Sequence, residues 1–532
     1  MLKWHITADT DEGVKTLEGE AAIPEENGVL SVVSDLPEGK IRKIKALLDI
    51  SISDDTKIFM NGYQTWTNCP EYGKNDRIRG LNGLPQKLIN KFGLDRYGDY
   101  HFVNYPNKKG ITHGFSWCYF RKGDRYRLIA SIDETPGYTM FTYDSGMGRL
   151  GIVRDCTGVK CGGEYHAFDL YIAEGSEDEV FDGWFDVMNI HASAAPLRGY
   201  SSWYNRYENI TGETIRTDLN GCRTLLAQGD LFQIDDGWEP AVGDWLTPDE
   251  TKFPEGLKPL ADEIHEAGFI AGLWLAPFVC REGSSIMNEH PDWLLQVAGK
   301  PWSCGSNWGG FYALDIDNPE VTDYLRKVFD RVFNEWGFDL VKLDFLYGAA
   351  PFGTENESRA GRMIRAMDFL REVCSDKLIL GCGVPVMPAF GRVDYCRVSC
   401  DVGLDWDDRR YMRVLHRERV STKQAIENTI SRRQLNGRAY LSDPDVFFLR
   451  EENLSLTAEQ KQLLAQVNAL LGGVLLTSDD PNSYTDAQRE VYRSLLHLQE
   501  AEKVQVDLDK HLISYILDDR IQTLLLPEEL FR

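Results

Sequence analysis

Histidine is scarce in this sequence, ten among 532 residues, and none lies where the predicted strand ends gather polar groups. Metalloprotease His-Glu-x-x-His spacing, a Gly-x-Ser-x-Gly elbow and a Walker A segment are all missing, so zinc proteolysis, serine-elbow hydrolysis and nucleotide binding lose their usual signatures. Asp315-x-Asp317 lacks the glycine and glutamate that would complete a calcium loop. Positive charge is also short. Lys and Arg total 58 against 83 Asp and Glu, a formal net charge of -25, which argues against nucleic acid or an anionic membrane surface as a partner. No long apolar run occurs: the longest, Leu463 to Leu476, is interrupted by Gln466, Asn468 and two glycines, and the first residues form no signal-peptide core. The eleven cysteines are odd in number and scattered. Neither Cys156/Cys161 nor Cys396/Cys400 has a partner pair at zinc-finger spacing, so the expectation is free thiols in a reducing cytoplasm, with no metal and no organic cofactor.

What is present is the ordinary balance of a large globular protein, 42% hydrophobic and 27% charged. The reading is of a multidomain chain: an N-terminal antiparallel β-sandwich over residues 1–180, a central (β/α)8 TIM barrel over 181–502, and a small C-terminal β domain over 503–532. Aromatic and β-branched runs separated by turn signals mark the first part. From about residue 197, eight apolar strand candidates alternate with amphipathic helices: Gly199–Tyr204, Leu231–Asp235, Ile270–Pro277, Leu340–Phe345, Leu378–Gly383, Cys396–Asp401, Ala439–Asp443 and Gly473–Ser478. The fifth connection, Val384 to Tyr395, is short and contains proline, so its helix is expected to be reduced. A doubly wound sheet is disfavoured because no Gly-rich phosphate loop follows any strand.

In such a barrel, chemistry sits at the C-terminal strand ends. Acids and cations collect there: Asp235-Asp236 on the second strand, Lys342 and Asp344 on the fourth, Arg397 and Asp401 on the sixth, Asp443 and Asp445 on the seventh. Strand alternation puts Lys342 with Asp344 on one face, and Arg397, Ser399 and Asp401 on another. Burying such groups is costly unless they pair, which points to a site rather than to packing. Trp238 and Trp245 offer an aromatic platform after Asp235-Asp236. Trp203 and Trp274 fit a core position as well as a site, and Asp443 and Asp445 can simply shape a loop. Two carboxylates without histidine or metal suit acid/base hydrolysis of a glycosidic bond.

At these residues the chain resembles glycoside hydrolase family 36, in its compact bacterial form. The likeness runs through Asn61–Trp66, Ser202-Trp203-Tyr204, Phe232–Trp238, Gly243-Asp244-Trp245, Gly272–Phe278, Asn288–Trp293, Tyr312–Asp315, Val341–Phe345, Leu380–Pro385, Arg397–Asp401 and Leu441–Asp445. The resemblance implies a retaining exo-α-galactosidase with Asp344 as nucleophile and Asp401 as general acid/base. It implies that Asp235 and Asp236 bind the galactose 4- and 6-hydroxyls with help from Lys342, and that Arg397 contacts ring substituents. Trp274 and Cys382 would line the subsite, joined by Trp203 and Tyr204 at the first strand and by Tyr63 and Trp66 reaching in from the N-terminal domain. Tyr63 stands where close relatives carry tryptophan, and Val398-Ser399-Cys400 precedes the acid/base where small residues and proline are expected. The partner is a small α-galactoside or galactosylated glycan, and association into a homo-oligomer stays open.

The mechanism sets electrostatic expectations. Lys342 should keep Asp344 ionised, Asp401 must hold a proton, and Arg397 should therefore address substrate or nucleophile rather than Asp401. The two carboxyls should stand on the order of 5–6 Å apart. The alternatives are an α-N-acetylgalactosaminidase, disfavoured by the implied place of Cys382 near the 2-hydroxyl, a raffinose-synthase-type galactosyl transferase, and a non-catalytic sugar-binding protein on the same scaffold.

Overall fold

The β-branched and aromatic runs of the first third pair antiparallel into one eleven-stranded sheet. The computed structural model describes residues 1–531 apart from positions 79, 82, 101, 104 and 408–416. The strand Gly28–Asp49 pairs along its first part with Lys160–Gly175, and along its second with Leu2–Thr10 and Arg149–Asp155. The sequence reading has two facing sheets; the strands are joined into one hydrogen-bonded sheet whose two halves face each other, the Phe120 ring of one meeting the Tyr143 ring of the other at 4.8 Å. Register shifts at Thr7/Ala8, Cys161/Gly163 and His166/Phe168 supply the bulges that let long strands change direction while pairing continues.

Ser176 opens the helix Glu177–Met188 with a capping box closed by Glu179. Trp184 and Phe181 of this helix meet Trp117 and Tyr119 of the antiparallel sheet on one side, and Trp184 and Phe185 meet Phe390 on the other. Helix, sheet and the parallel layer beyond thus share one apolar core.

That parallel layer is TIM-barrel-like. Leu441–Asp443, Tyr395–Arg397, Leu378–Gly381, Leu340–Leu343, Ile270–Leu275, Leu231–Ile234, Leu197–Ser201, Val474–Thr477 and Val446–Phe447 pair in that order, all parallel. The order begins and ends on two pieces of one segment, separated only by Pro444 and Asp445. Proline has no N–H to give the ladder, so the strand breaks there. Helices Gly212–Cys222, Lys258–Glu266, Pro319–Asp330, Arg359–Cys374, Thr422–Ser431 and Ala458–Leu471 fill the crossovers. The fifth carries only the 3-10 turn Met387–Ala389, as its length and proline content suggest.

Two strands stop three or more residues earlier than the sequence reading has them. The first ends at Ser201, and Trp203 and Tyr204 belong to the short helix Trp203–Arg206. The sixth ends at Arg397, so Asp401 lies in the loop beyond it. The third crossover holds an excursion absent from that reading, a small antiparallel sheet of Val279–Arg281, Ser303–Gly305 and Phe311–Ala313. The C-terminal strands Glu502–Asp507, Leu512–Leu517 and Arg520–Leu525 form an antiparallel meander. Among the described residues no helix is long and apolar enough to cross a membrane.

Candidate active site

The strand ends Leu231–Ile234, Ile270–Leu275 and Leu340–Leu343 stop beside one another and hand their next polar residues to one cavity of about 1020 Å³. Asp235, Asp236, Trp274, Lys342, Asp344 and Asp401 all line it. Its outer part is lined from the N-terminal portion of the chain by Trp66, Leu88 and Phe92.

Asp344 follows the fourth strand directly and is buried. Its Oδ1 accepts the Phe345 N–H at 2.8 Å and its Oδ2 accepts Trp274 Nε1–H at 3.2 Å, so both oxygens are held. Burial raises its pKa, opposed by the Lys342 ammonium and reinforced by the Asp401 charge. Lys342 thus pulls Asp344 toward its ionised form, as expected, without cancelling the effect of burial. Its Nζ donates to Asp235 Oδ2 at 3.0 Å, and against desolvation its pull on Asp344 is the smaller effect.

Asp235 is the most heavily bonded acid of the site. Its Oδ2 also accepts from Gln233 Nε2 at 2.6 Å and from the Ser201 hydroxyl at 3.3 Å, while Oδ1 accepts the Asp236 N–H at 3.0 Å. Asp236 accepts Trp308 Nε1–H at 3.1 Å. Burial, then the neighbouring Glu239 carboxylate, pushes Asp236 well above the usual carboxylate range.

Arg397 points where it was not expected. Its Nη1 donates to Asp401 Oδ1 at 2.8 Å, Nε to Asp443 at 3.3 Å and Nη2 to Asp445 at 2.9 Å. A buried guanidinium has five donors to satisfy, and three carboxylates converge on it. Asp443 and Asp445 are thus buried partners of the site's cation, not mere loop formers. Tyr204 is buried and gives its hydroxyl to Asp445 Oδ2 at 2.6 Å, so it supports the network from behind, whereas Trp203 lines the cavity. Asp401 stands four residues past the end of its strand with its side chain 40% exposed. Strand alternation does not place it; the Arg397 contact does.

Trp66 enters the cavity and donates from Nε1 to Cys382 Sγ at 3.3 Å. A Cβ at Gly383, whose φ is +57°, would stand 2.8 Å from the Trp66 ring, so this approach requires glycine. Arg432 fixes the loop, donating to the carbonyls of Gln64, Thr65 and Val398 and to Asn61 Oδ1. Tyr63 does not reach in: it packs edge-on against Phe102, Phe115 and Tyr138, with the Arg359 guanidinium over its ring. Trp238 and Trp245 are corrected too. Both are fully buried, Trp238 bonding the Trp274 carbonyl at 2.9 Å, because the Gly-Trp turn folds inward.

Trp308, half-buried like Trp66 and Trp203, is a further indole of the site, supplied by the unforeseen excursion. Its only sequence signal is the turn-forming Asn307-Trp308-Gly309-Gly310. Glu239, Phe345 and Glu208 were likewise missed. Phe345, Trp308 and Asp445 adopt φ of 52°, 53° and 74°. Non-glycine residues rarely take such values, and their concentration here is typical of a functional site.

Residues 202–365 match the Melibiase family. Over 152 residues the chain is 34% identical to an α-galactosidase of Escherichia coli, covering 26% of this chain and 21% of that one. Over 193 residues it is 32% identical to a bifunctional α-galactosidase/sucrose kinase of Mediterraneibacter gnavus, covering 34% of this chain and 20% of the other. These matches therefore span about a fifth of the curated relatives. Among solved structures, an α-galactosidase from Thermus thermophilus in complex with p-nitrophenyl α-D-galactopyranoside superposes with a TM-score of 0.75 at 26% identity, covering 94% of this chain and 98% of that one. The family 36 α-galactosidase of Geobacillus stearothermophilus, at 14% identity, shares the fold with a TM-score of 0.60 over 95% of this chain and 71% of its own.

Proposed function

We propose, from the match of residues 202–365 to the Melibiase family, that this protein is a retaining exo-α-galactosidase of glycoside hydrolase family 36, its catalytic unit a (β/α)8 barrel between an N-terminal β domain and a C-terminal β addition. The observation that carries the reading is the meeting of Asp344 and Asp401 in one cavity whose inner end holds Asp235, Asp236, Lys342 and Trp274. Charged hydrogen-bonding groups beside an indole match a sugar, which offers hydroxyls at its edge and C–H groups on its face.

Asp344 attacks the anomeric carbon while Asp401 protonates the leaving oxygen, forming a β-galactosyl-enzyme. Asp401 then takes a proton from water, which attacks the same carbon, expels Asp344 and restores the α configuration. The bonds from Trp274 and Phe345 fix the orientation of the nucleophile. Arg397 keeps Asp401 over the cavity through Nη1 while its other donors hold to Asp443 and Asp445. Asp235 and Asp236 take the galactose hydroxyls. The separation of a retaining pair, on the order of 5 Å, belongs to this proposal. Eleven buried free thiols suit a cytoplasmic setting.

Time-resolved proton NMR of methyl α-D-galactoside hydrolysis tests the reading. The α-anomer of galactose should appear first and mutarotate later. Initial release of the β-anomer would overturn double displacement, and no release would overturn the activity.

A further inference from the structure

Leu88, Phe92 and Val420 are 42%, 46% and 48% exposed, unusual for large apolar side chains, and all three line the outer part of the cavity. Leu88 and Phe92 stand four apart on the helix Gln86–Phe92, so they share one face, and Leu84, just before the helix, also lines the cavity. The same helix turns Ile89 the other way, into a small cluster with Leu81 and Leu94. Its core face is therefore already used, and the open stripe is a second one. Of the polar groups nearby, Tyr97 gives its hydroxyl to Asn307 at 2.8 Å and receives the Ser306 N–H at 3.1 Å. The cavity, about 1020 Å³, reaches the top of the roughly 300–1,000 Å³ range that holds drug-sized ligands, so a galactose at its acidic end leaves the apolar end to fill.

Resting on the α-galactosidase reading, we propose that this outer wall is a leaving-group subsite for an apolar aglycone, an alkyl chain carried on the anomeric oxygen. Leucine, valine and phenylalanine offer a second sugar no hydrogen bonds, whereas they remove an alkyl chain from water wherever they touch it. The wall is continuous with the catalytic cavity, so the chain that fills it is attached to the bond being cleaved.

The test compares kcat/KM of the full-length protein on octyl and methyl α-D-galactopyranoside, with melibiose as the polar aglycone. The two alcohols are similarly poor leaving groups, so their ratio reads contact with the wall rather than bond breaking. Each buried methylene is worth on the order of threefold, and octyl should exceed methyl by at least about tenfold. In Leu88→Ser/Phe92→Ser that ratio should fall at least about fivefold, and Val420→Ser, on a separate segment, should lower it as well. A ratio near one, or a ratio unchanged in both variants, overturns the subsite while methyl galactoside and melibiose hydrolysis leave the α-galactosidase reading standing. No hydrolysis of any of the three overturns both. A dimer in sedimentation that dissociates in Leu88→Ser/Phe92→Ser also overturns the subsite, the wall then being covered by a second copy.

Discussion

Asp344 is held at both carboxylate oxygens, by the Phe345 N–H and the Trp274 indole, so its direction is set before any substrate arrives. Asp344→Gly should lower turnover by several orders of magnitude, and added azide should restore it as β-galactosyl azide. An α-azide product would show that the attacking face is wrong. The raised pKa of Asp344 gives a pH dependence with a definite sign. In the proposed mechanism only the ionised carboxylate attacks, and the protonated form persists above the ordinary aspartate value of about 3.9. The acid limb of the kcat/KM profile should therefore fall above pH ~4 as pH decreases. A limb at or below that value would show that Lys342, rather than burial, governs the nucleophile.

The seventh strand of the parallel sheet shows how one element makes a site by failing to be regular. Pro444 interrupts the ladder, Asp445 turns to φ of 74°, and its carboxylate receives Arg397, the Tyr204 hydroxyl and the Val402 N–H. Asparagine tolerates this backbone conformation, so Asp445→Asn removes charge with little change of shape. It should lower stability by about 2 kcal/mol, the size of a buried hydrogen bond to a charged group, and lower kcat/KM because Arg397 no longer holds Asp401 firmly. Urea unfolding read beside initial rates checks both; an unchanged midpoint would mean the interaction is not net stabilising. Element type and order were legible here because apolar strand runs alternate with helices. Element ends were not. The sixth strand stops at Arg397, since the apolar character of Val398 and Cys400 carries past the last strand residue.

Across the whole molecule, buried carboxyls outside the cavity also record the cost of desolvation. Glu134 lies buried in the turn between the strands Arg125–Ser131 and Tyr138–Asp144, accepting the Thr139 N–H at 2.9 Å and the Ser116 hydroxyl at 3.0 Å, and burial raises its pKa from 4.5 to about 7. A raised carboxyl binds its proton more tightly folded than unfolded. It therefore favours folding below pH ~4.5 and loses that contribution as pH rises to about 7. Glu134→Gln keeps the neutral shape without the titration. Between pH 5 and pH 8 the wild-type Tm should drop more than that of the variant, reflecting up to about 3 kcal/mol of linkage. Parallel melting curves of equal slope would show that Glu134 is reached by water.

The sequence by itself determined the alternation of strands and helices, the acids at strand ends, and the family likeness, because period and local turn chemistry are properties of neighbouring residues. It also located Asp344, whose position follows from four strand residues before it. Tertiary structure alone decided that Arg397 serves Asp401, Asp443 and Asp445 together, that Tyr63 stays in its aromatic cluster while Trp66 enters the cavity, and that Trp308 meets Asp236. Most of these contacts join side chains far apart in the chain, such as Arg397 with Asp443 and Asp445, Trp66 with Cys382 and Trp308 with Asp236. Which partner a buried charge or indole finds depends on the summed cost of desolvating it in place, and no local pattern in the chain carries that sum.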